Sequence, residues 1–184
     1  KKLYDNVVAD MVSHAKSIKQ GAGLDPSTQI GPLVSSKQQQ RVMNYIEKGL
    51  EEGAEVLTGG ANPKEHGYFV EPTIFSAVND EMTIAREEIF GPVIAAMPFE
   101  DLDEIIERAN NSEYGLAAGL WTENISKAHY IANKLRAGTV WINCYNAFDA
   151  ASPFGGYKQS GIGREMGSYA LNNYTEVKSV WVGM

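Results

Sequence analysis

The order of elements in this sequence predicts an α/β fold of three α/β/α layers, with helices on both faces of a mostly parallel sheet. Segments with apolar residues at helical spacing alternate with short runs rich in β-formers, and strands separated by helices need crossover connections. At 184 residues and 43% hydrophobic, the chain is long enough and apolar enough to bury a sizeable core.

Leu3, Val7, Val8, Met11, Val12, Ala15 and Ile18 share one helical face and predict an amphipathic helix ending near Gly21. A second helix starts near Ser35, passes Val42, Ile46 and Leu50 and stops at Gly53, and residues 54–58 follow as a short strand. After the turn-rich stretch 59–67, residues 68–75 read as extended. Pro72 lacks a backbone donor and suggests an edge or irregular position, with pairing to a neighbour on one side only.

Residues 92–99 are a candidate buried strand, Asp101 caps a helix through Ile105, Ile106 and Ala109, and residues 116–122 are again strand-like. A helix over 125–136 is expected to close on Gly138 as a left-handed cap, before a strand over 139–143. Beyond Ser152 the chain becomes glycine-dense, at Gly155, Gly156, Gly161, Gly163 and Gly167.

An alternating segment, 174–182, closes the chain with Val177, Ser179 and Trp181 on one side and Lys178, Val180 and Val182 on the other. A terminal strand with apolar groups on both faces either docks on its own domain or pairs with another chain. The organisation read from these elements is one α/β domain over 1–172 and a separate strand over 173–184.

A formal net charge of −7 opposes a nucleic-acid reader, which needs a basic face to neutralise phosphates. No apolar run approaches the roughly 20 residues that span a bilayer, and no secretory signal layout opens the chain, so no membrane partner is expected. Lys1 in first position suggests that the natural chain begins further upstream. Cys144 is the single cysteine, which excludes an internal disulfide, and His14, His66 and His129 are too dispersed for a metal site. The cytoplasm is the simplest compartment.

The most distinctive run is Arg86-Glu87-Glu88-Ile89-Phe90-Gly91-Pro92-Val93, two carboxylates beside an aromatic residue ahead of a buried strand. A carboxylate there can accept hydrogen bonds from a ribose diol, and a neighbouring phenyl can cover a cofactor ring. An ordinary acidic helix turn explains the same spacing and, on spacing alone, leads. The second run, Trp141-Ile142-Asn143-Cys144-Tyr145-Asn146, continues through Phe148 and Phe154 into the glycines. It fits an apolar funnel or a long structural loop equally well.

Cys144 has no histidine near it in sequence and reads as a buried, inert thiol. Ser13 and Lys16 match a Ser-x-x-Lys spacing but lack its companion motifs. Gly21-Ala22-Gly23 runs into Leu24-Asp25-Pro26 rather than a third glycine, so no dinucleotide fingerprint is present.

Four strings occur in register: Glu87-Glu88-Ile89-Phe90-Gly91-Pro92, Asn111-Ser112-Glu113-Tyr114-Gly115-Leu116, Gly138-Thr139-Val140-Trp141-Ile142-Asn143 and Ser152-Pro153-Phe154-Gly155-Gly156-Tyr157-Lys158. Together they resemble the aldehyde dehydrogenase superfamily over essentially the whole chain. The resemblance implies most of a catalytic domain plus the last strand of an oligomerisation sheet, without the Rossmann-like cofactor domain.

In that family a cysteine attacks the aldehyde, hydride passes to the nicotinamide of NAD or NADP, and a glutamate-activated water releases the carboxylic acid. Both residues normally precede the point where this chain starts, so the chain alone is expected to be inactive. Glu88 resembles the glutamate that holds the nicotinamide ribose, Phe90 the aromatic beside the nicotinamide, and Gln38 a residue that reaches the same ribose in some members. Gln38 also fits a capping box opened by Ser35.

Phe148 and Phe154 resemble aromatics lining the aldehyde tunnel. Glu165 resembles an accessory proton-relay glutamate, with a salt bridge to a nearby arginine as the plain alternative. The segment 174–182 resembles a strand exchanged in dimers and tetramers, so a homo-oligomer is expected. The competing reading is a naturally short, non-catalytic assembly module that uses this strand.

Overall fold

The computed structural model describes residues 3–64 and 66–184. It divides into two compact units, residues 1–100 and 101–184. Among the described residues, two of the three strand pairings are parallel, and the strands are shared between two sheets.

The first unit opens with α1 (Tyr4–Ser17), which buries Val8 and Ala15. The helix ends earlier than its apolar spacing suggests, because Ile18 turns extended. α2 (Ser36–Glu51) starts where expected, and the Ser35 side chain accepts from the Gln38 amide and satisfies one of the free donors of the first turn. β1 (Glu55–Thr58) pairs antiparallel with β2 (Thr73–Ser76), which runs parallel to β3 (Val93–Ala95). A one-turn helix, α3 (Thr83–Arg86), lies on the connection between β2 and β3.

Val42, Ile46, Ala54, Val70, Phe75, Val78, Met82, Ile84 and Ile89 form the core of this unit. Phe75 is fully buried, so truncating it to alanine removes about 3–5 kcal/mol of stability.

Three expectations change here. Pro72 does not mark an edge: it immediately precedes the central strand β2, at a position that needs no ladder donor. β3 is only half-buried, with Ile94 exposed, because β3 is the last strand of its sheet among the described residues. On α2 the inward position is Gly49, while Leu50 faces solvent, one residue round from the core stripe.

The second unit follows the predicted rhythm. Asp101 accepts from the amides of Asp103 and Glu104 to start α4 (Leu102–Asn110), and Asn124 accepts from Lys127 to start α5 (Ile125–Lys134). β4 (Ala117–Leu120) and β5 (Thr139–Ile142) pair in parallel, with Ala117 opposite Thr139 and Leu120 opposite Ile142.

α5 closes through an extended Leu135, and Gly138 takes no left-handed conformation. Its need for glycine is steric, since a Cβ there would sit 1.6 Å from the Gly155 carbonyl oxygen. The glycine-dense region folds as loops with two short 3-10 turns, Lys158–Ser160 and Ser168–Asn173. Residues 175–184 form no helix or strand and are exposed throughout, so the alternating terminal segment does not dock on its own unit.

Gly138→Ala is therefore expected to destabilise the protein by about 3 kcal/mol or more, because backbone rather than a flexible side chain must yield. Gly23→Ala, with nothing within 4 Å of the added carbon, is expected to stay within about 0.5 kcal/mol. Chemical denaturation of both variants makes the comparison, and equal midpoints would refute the steric assignment.

Candidate functional site

The first unit assembles its candidate residues around one face of α2. Gln38, Arg41, Tyr45 and Gly49 recur every three or four residues, so they line one face of the helix. Opposite them runs the segment 84–91. Gln38 Nε2 donates to the Phe90 carbonyl at 2.9 Å and to that of Ile89 at 3.3 Å. Arg41 Nη2 donates to the Glu88 carbonyl at 3.0 Å, and the Tyr45 hydroxyl donates to the Glu87 carboxylate at 2.7 Å.

Gly91 completes the fit, since a Cβ there would lie 2.6 Å from a Val42 methyl. Gly49 does the same at the other end, where a Cβ would lie 3.0 Å from Ile84. The helix therefore grips the loop by its carbonyls and by close backbone approach.

Ile89 is buried beneath this grip, while Glu88 and Phe90 on either side of it are exposed. Phe90 has a left-handed backbone, φ 56°, and the residue is 70% exposed. An aromatic residue does not adopt that conformation freely, so the two carbonyl clamps from Gln38 must hold it. Among the described residues, no hydrogen bond or ion pair engages the Glu88 carboxylate; α2 fixes the residue by its carbonyl. α3 ends at Arg86 and Glu87 is already extended, so the plain reading of the acidic pair as a helix turn does not hold.

The Gln38 side chain does not turn back to close a capping box on Ser35. Its amide reaches 52 residues away in sequence to Phe90, and only the Ser35 half of the motif forms. Arg41 also donates to the Tyr45 hydroxyl at 3.4 Å, and its guanidinium lies 5.5 Å from the Tyr45 ring centroid. The hydrogen bond to Glu87, followed by burial, raises the Tyr45 hydroxyl above the usual tyrosine range.

At the start of α3, Glu52 accepts from the Thr83 amide and hydroxyl, both at 2.7 Å. The hydroxyl first and then the amide hold the Glu52 carboxylate below its ordinary value of 4.5.

The second unit assembles an aromatic run at the end of β5. The Trp121 and Tyr145 rings stack at 6.5 Å, Tyr145 tilts against Trp141 at 5.0 Å, Trp141 meets Phe148 edge-on at 5.6 Å, and Phe148 meets Phe154 edge-on at 5.2 Å. The indole N–H of Trp141 donates to the Ala147 carbonyl at 2.9 Å and folds the loop back over the strand end. Asn143, left-handed at φ 55°, clasps the Thr122 backbone with both ends of its amide, at 2.8 and 2.9 Å. That turn carries Cys144 outward, so the thiol is exposed rather than buried.

Phe154 and Glu165 are brought together by a two-bond antiparallel bridge, both bonds at 2.7 Å. The side chain of Glu165 is exposed, and no ion pair to it is found among the described residues. The neighbouring Arg164 donates instead to the carbonyls of Gly156 and Gly163, at 3.0 and 2.6 Å, which removes the salt-bridge alternative. Ser13 and Lys16 lie exposed on α1.

Sequence reasoning missed Arg41, Tyr45, Gly49 and Trp121, and it named Tyr145 only as part of the aromatic run after β5. For Arg41 and Tyr45 the available signal was a polar stripe beside the apolar one on α2, which names a face but no partner.

No helix is long and apolar enough to cross a membrane, and no group of three or more His, Cys, Asp or Glu that could hold a metal exists among the described residues. A family model described as the aldehyde dehydrogenase family matches residues 1–180. The chain belongs to the aldehyde dehydrogenase family.

The DhaS protein of Bacillus subtilis strain 168 is 70% identical over all 184 residues, which span 37% of its length. Human mitochondrial aldehyde dehydrogenase is 51% identical over 180 residues, 98% of this chain and 35% of the relative. A solved Bacillus cereus aldehyde dehydrogenase in complex with NAD+ is 63% identical with a TM-score of 0.98, covering 100% of this chain and 38% of that one. The chain thus spans little more than a third of the length of these family members.

Acid should loosen the approach to this loop. Glu52 contributes its stabilisation above 4.5, and the contribution is lost as pH falls through its lower folded value. The protection of the Thr83 amide against hydrogen exchange, corrected for intrinsic rate, is expected to fall as pH drops below 4.5 and through the lower folded value of Glu52. Glu52→Gln should show no such step. An equal step in both proteins would remove Glu52 as its cause.

Proposed function

We propose that this chain is part of an NAD(P)-dependent aldehyde dehydrogenase that oxidises aldehydes to carboxylic acids, and that it contributes cofactor-holding and substrate-lining surfaces. The observation that carries the reading is the α2 grip on residues 87–90, which leaves a carboxylate with no hydrogen bond or ion pair among the described residues and an exposed phenylalanine on either side of a buried Ile89.

The donor set suits the dinucleotide. Glu88 presents two acceptor oxygens for a ribose diol, and Phe90 presents a flat apolar face for an aromatic ring. Gln38 holds the backbone between them, so its contribution to the ribose is through the loop. The dinucleotide, when bound, accepts the hydride that leaves the substrate carbon. The Bacillus cereus relative solved with NAD+ supports NAD as this cofactor.

Phe148 and Phe154 form an apolar wall suited to an aldehyde side chain. Glu165, exposed and hydrogen-bonded through its backbone to Phe154, suits a proton relay toward bulk water. The nucleophilic cysteine and the hydrolytic glutamate lie outside these 184 residues in this reading, and the isolated chain has no turnover.

The exposed terminal segment supports assembly as a homo-oligomer. Val177, Val180, Trp181 and Val182 are each at least 75% exposed, and the segment has no strand partner in its own unit. A segment with apolar residues on alternating sides and free backbone groups can add as a strand to a second chain.

Glu88→Gln in the full-length enzyme is expected to raise the KM for the dinucleotide or lower kcat by about tenfold, because the charged acceptor becomes a neutral amide. Unchanged kinetics with both NAD+ and NADP+ would overturn the assignment. Removing residues 174–184 is expected to reduce the oligomer observed by analytical ultracentrifugation, and an unaltered sedimentation coefficient would count against the terminal segment as its interface.

A further inference from the structure

The proposed role of Glu88 leaves a physical question. A carboxylate on an exposed loop holds a ribose only if the loop backbone is already set, since ordering it during binding costs affinity. The structure contains a hydrogen-bonded ring suited to that setting. Arg41 Nη2 donates both to the Glu88 carbonyl at 3.0 Å and to the Tyr45 hydroxyl at 3.4 Å. The Tyr45 hydroxyl donates to the Glu87 carboxylate at 2.7 Å, and the peptide between Glu87 and Glu88 closes the ring.

We infer that Tyr45 and Glu87 are positioning residues for cofactor binding, which act through Arg41 and the 87–88 peptide to set the Glu88 carboxylate. The inference rests on Glu88 as the cofactor-holding group.

Three features favour a positioning role over simple helix packing. The ring runs from the Glu87 side chain through the backbone to the Glu88 carbonyl, so it encloses the Glu88 α-carbon and restrains the backbone torsions on both sides of it. Tyr45 is half-buried on α2, whose neighbours Val42 and Ile46 are core residues, so its hydroxyl is delivered from a rigid element. Glu87 makes its hydrogen bond to Tyr45 while the adjacent Glu88 carboxylate makes none among the described residues, which divides one acidic pair into an anchored member and a free one. Two like charges side by side also repel, and the phenol on Glu87 reduces its claim on any donor meant for Glu88.

The test is a set of variants in the full-length enzyme, read by NAD+ binding in a fluorescence titration and by thermal melting. Tyr45→Phe keeps the ring and loses only the hydroxyl, and Glu87→Ala loses the acceptor. Each is expected to weaken NAD+ binding about three- to tenfold, with little change in melting temperature. The double variant should be no weaker than the weaker single one. Glu87→Gln, which keeps an acceptor oxygen for the phenol, should recover most of the affinity.

Glu88→Gln separates this inference from the reading beneath it. If Glu88→Gln weakens binding while Tyr45→Phe and Glu87→Ala leave it unchanged, or while their effects simply add, the positioning role is overturned and Glu88 stands. If Glu88→Gln binds NAD+ as tightly as the wild type, both fall. A loss of affinity in Tyr45→Phe that is matched by a large drop in melting temperature and not recovered by Glu87→Gln would also overturn it.

Discussion

The contact between one face of α2 and the backbone of residues 84–91 is the constraint on which the first unit's candidate site depends. A non-glycine residue in the left-handed region costs about 1–2 kcal/mol, and Phe90 occupies it with an exposed ring that returns little burial energy. The two carbonyl hydrogen bonds from Gln38, at roughly 1 kcal/mol each, are of the size needed to offset that cost. The close approach of Gly91 to Val42 brings the loop within reach of those bonds, and Ile89 seals the contact by burial. Glu88 and Phe90 are presented to solvent because everything around them is held.

The second unit solves a similar problem with aromatic surface. Its parallel pair is only two strands wide, so little sheet lies beneath the long loop after β5. The interlocking rings from Trp121 to Phe154 supply what the sheet does not, at about 0.5–1.5 kcal/mol per pair beyond their burial. The Trp141 indole bond to Ala147 and the Asn143 clasp on Thr122 fix where the loop leaves the strand. Phe148 and Phe154 belong to this loop support, so changes at either act on the position of the loop.

The string around Glu88 was visible as a string, yet its chemistry depended on which of two neighbouring carboxylates was free. The geometry separates them: Glu87 is bound by Tyr45 and Glu88 is left available. Arg41 and Tyr45 lie 42 or more residues from the groups they hold, and nothing within a helical turn of them signals that partner.

Local chemistry by itself determined the helix starts at Ser35, Asp101 and Asn124, the order of strands and helices, and the acidic-aromatic run at 87–90. Those features depend on interactions within about four residues, where side-chain type and spacing decide the outcome. Tertiary structure alone decided that Pro72 precedes a central strand, that Gly138 is needed for the Gly155 carbonyl rather than a helix cap, that Cys144 faces outward, and that Gly49 rather than Leu50 meets the core. Each of these turns on the approach of a segment distant in sequence, and spacing along the chain does not encode which segment arrives or how closely.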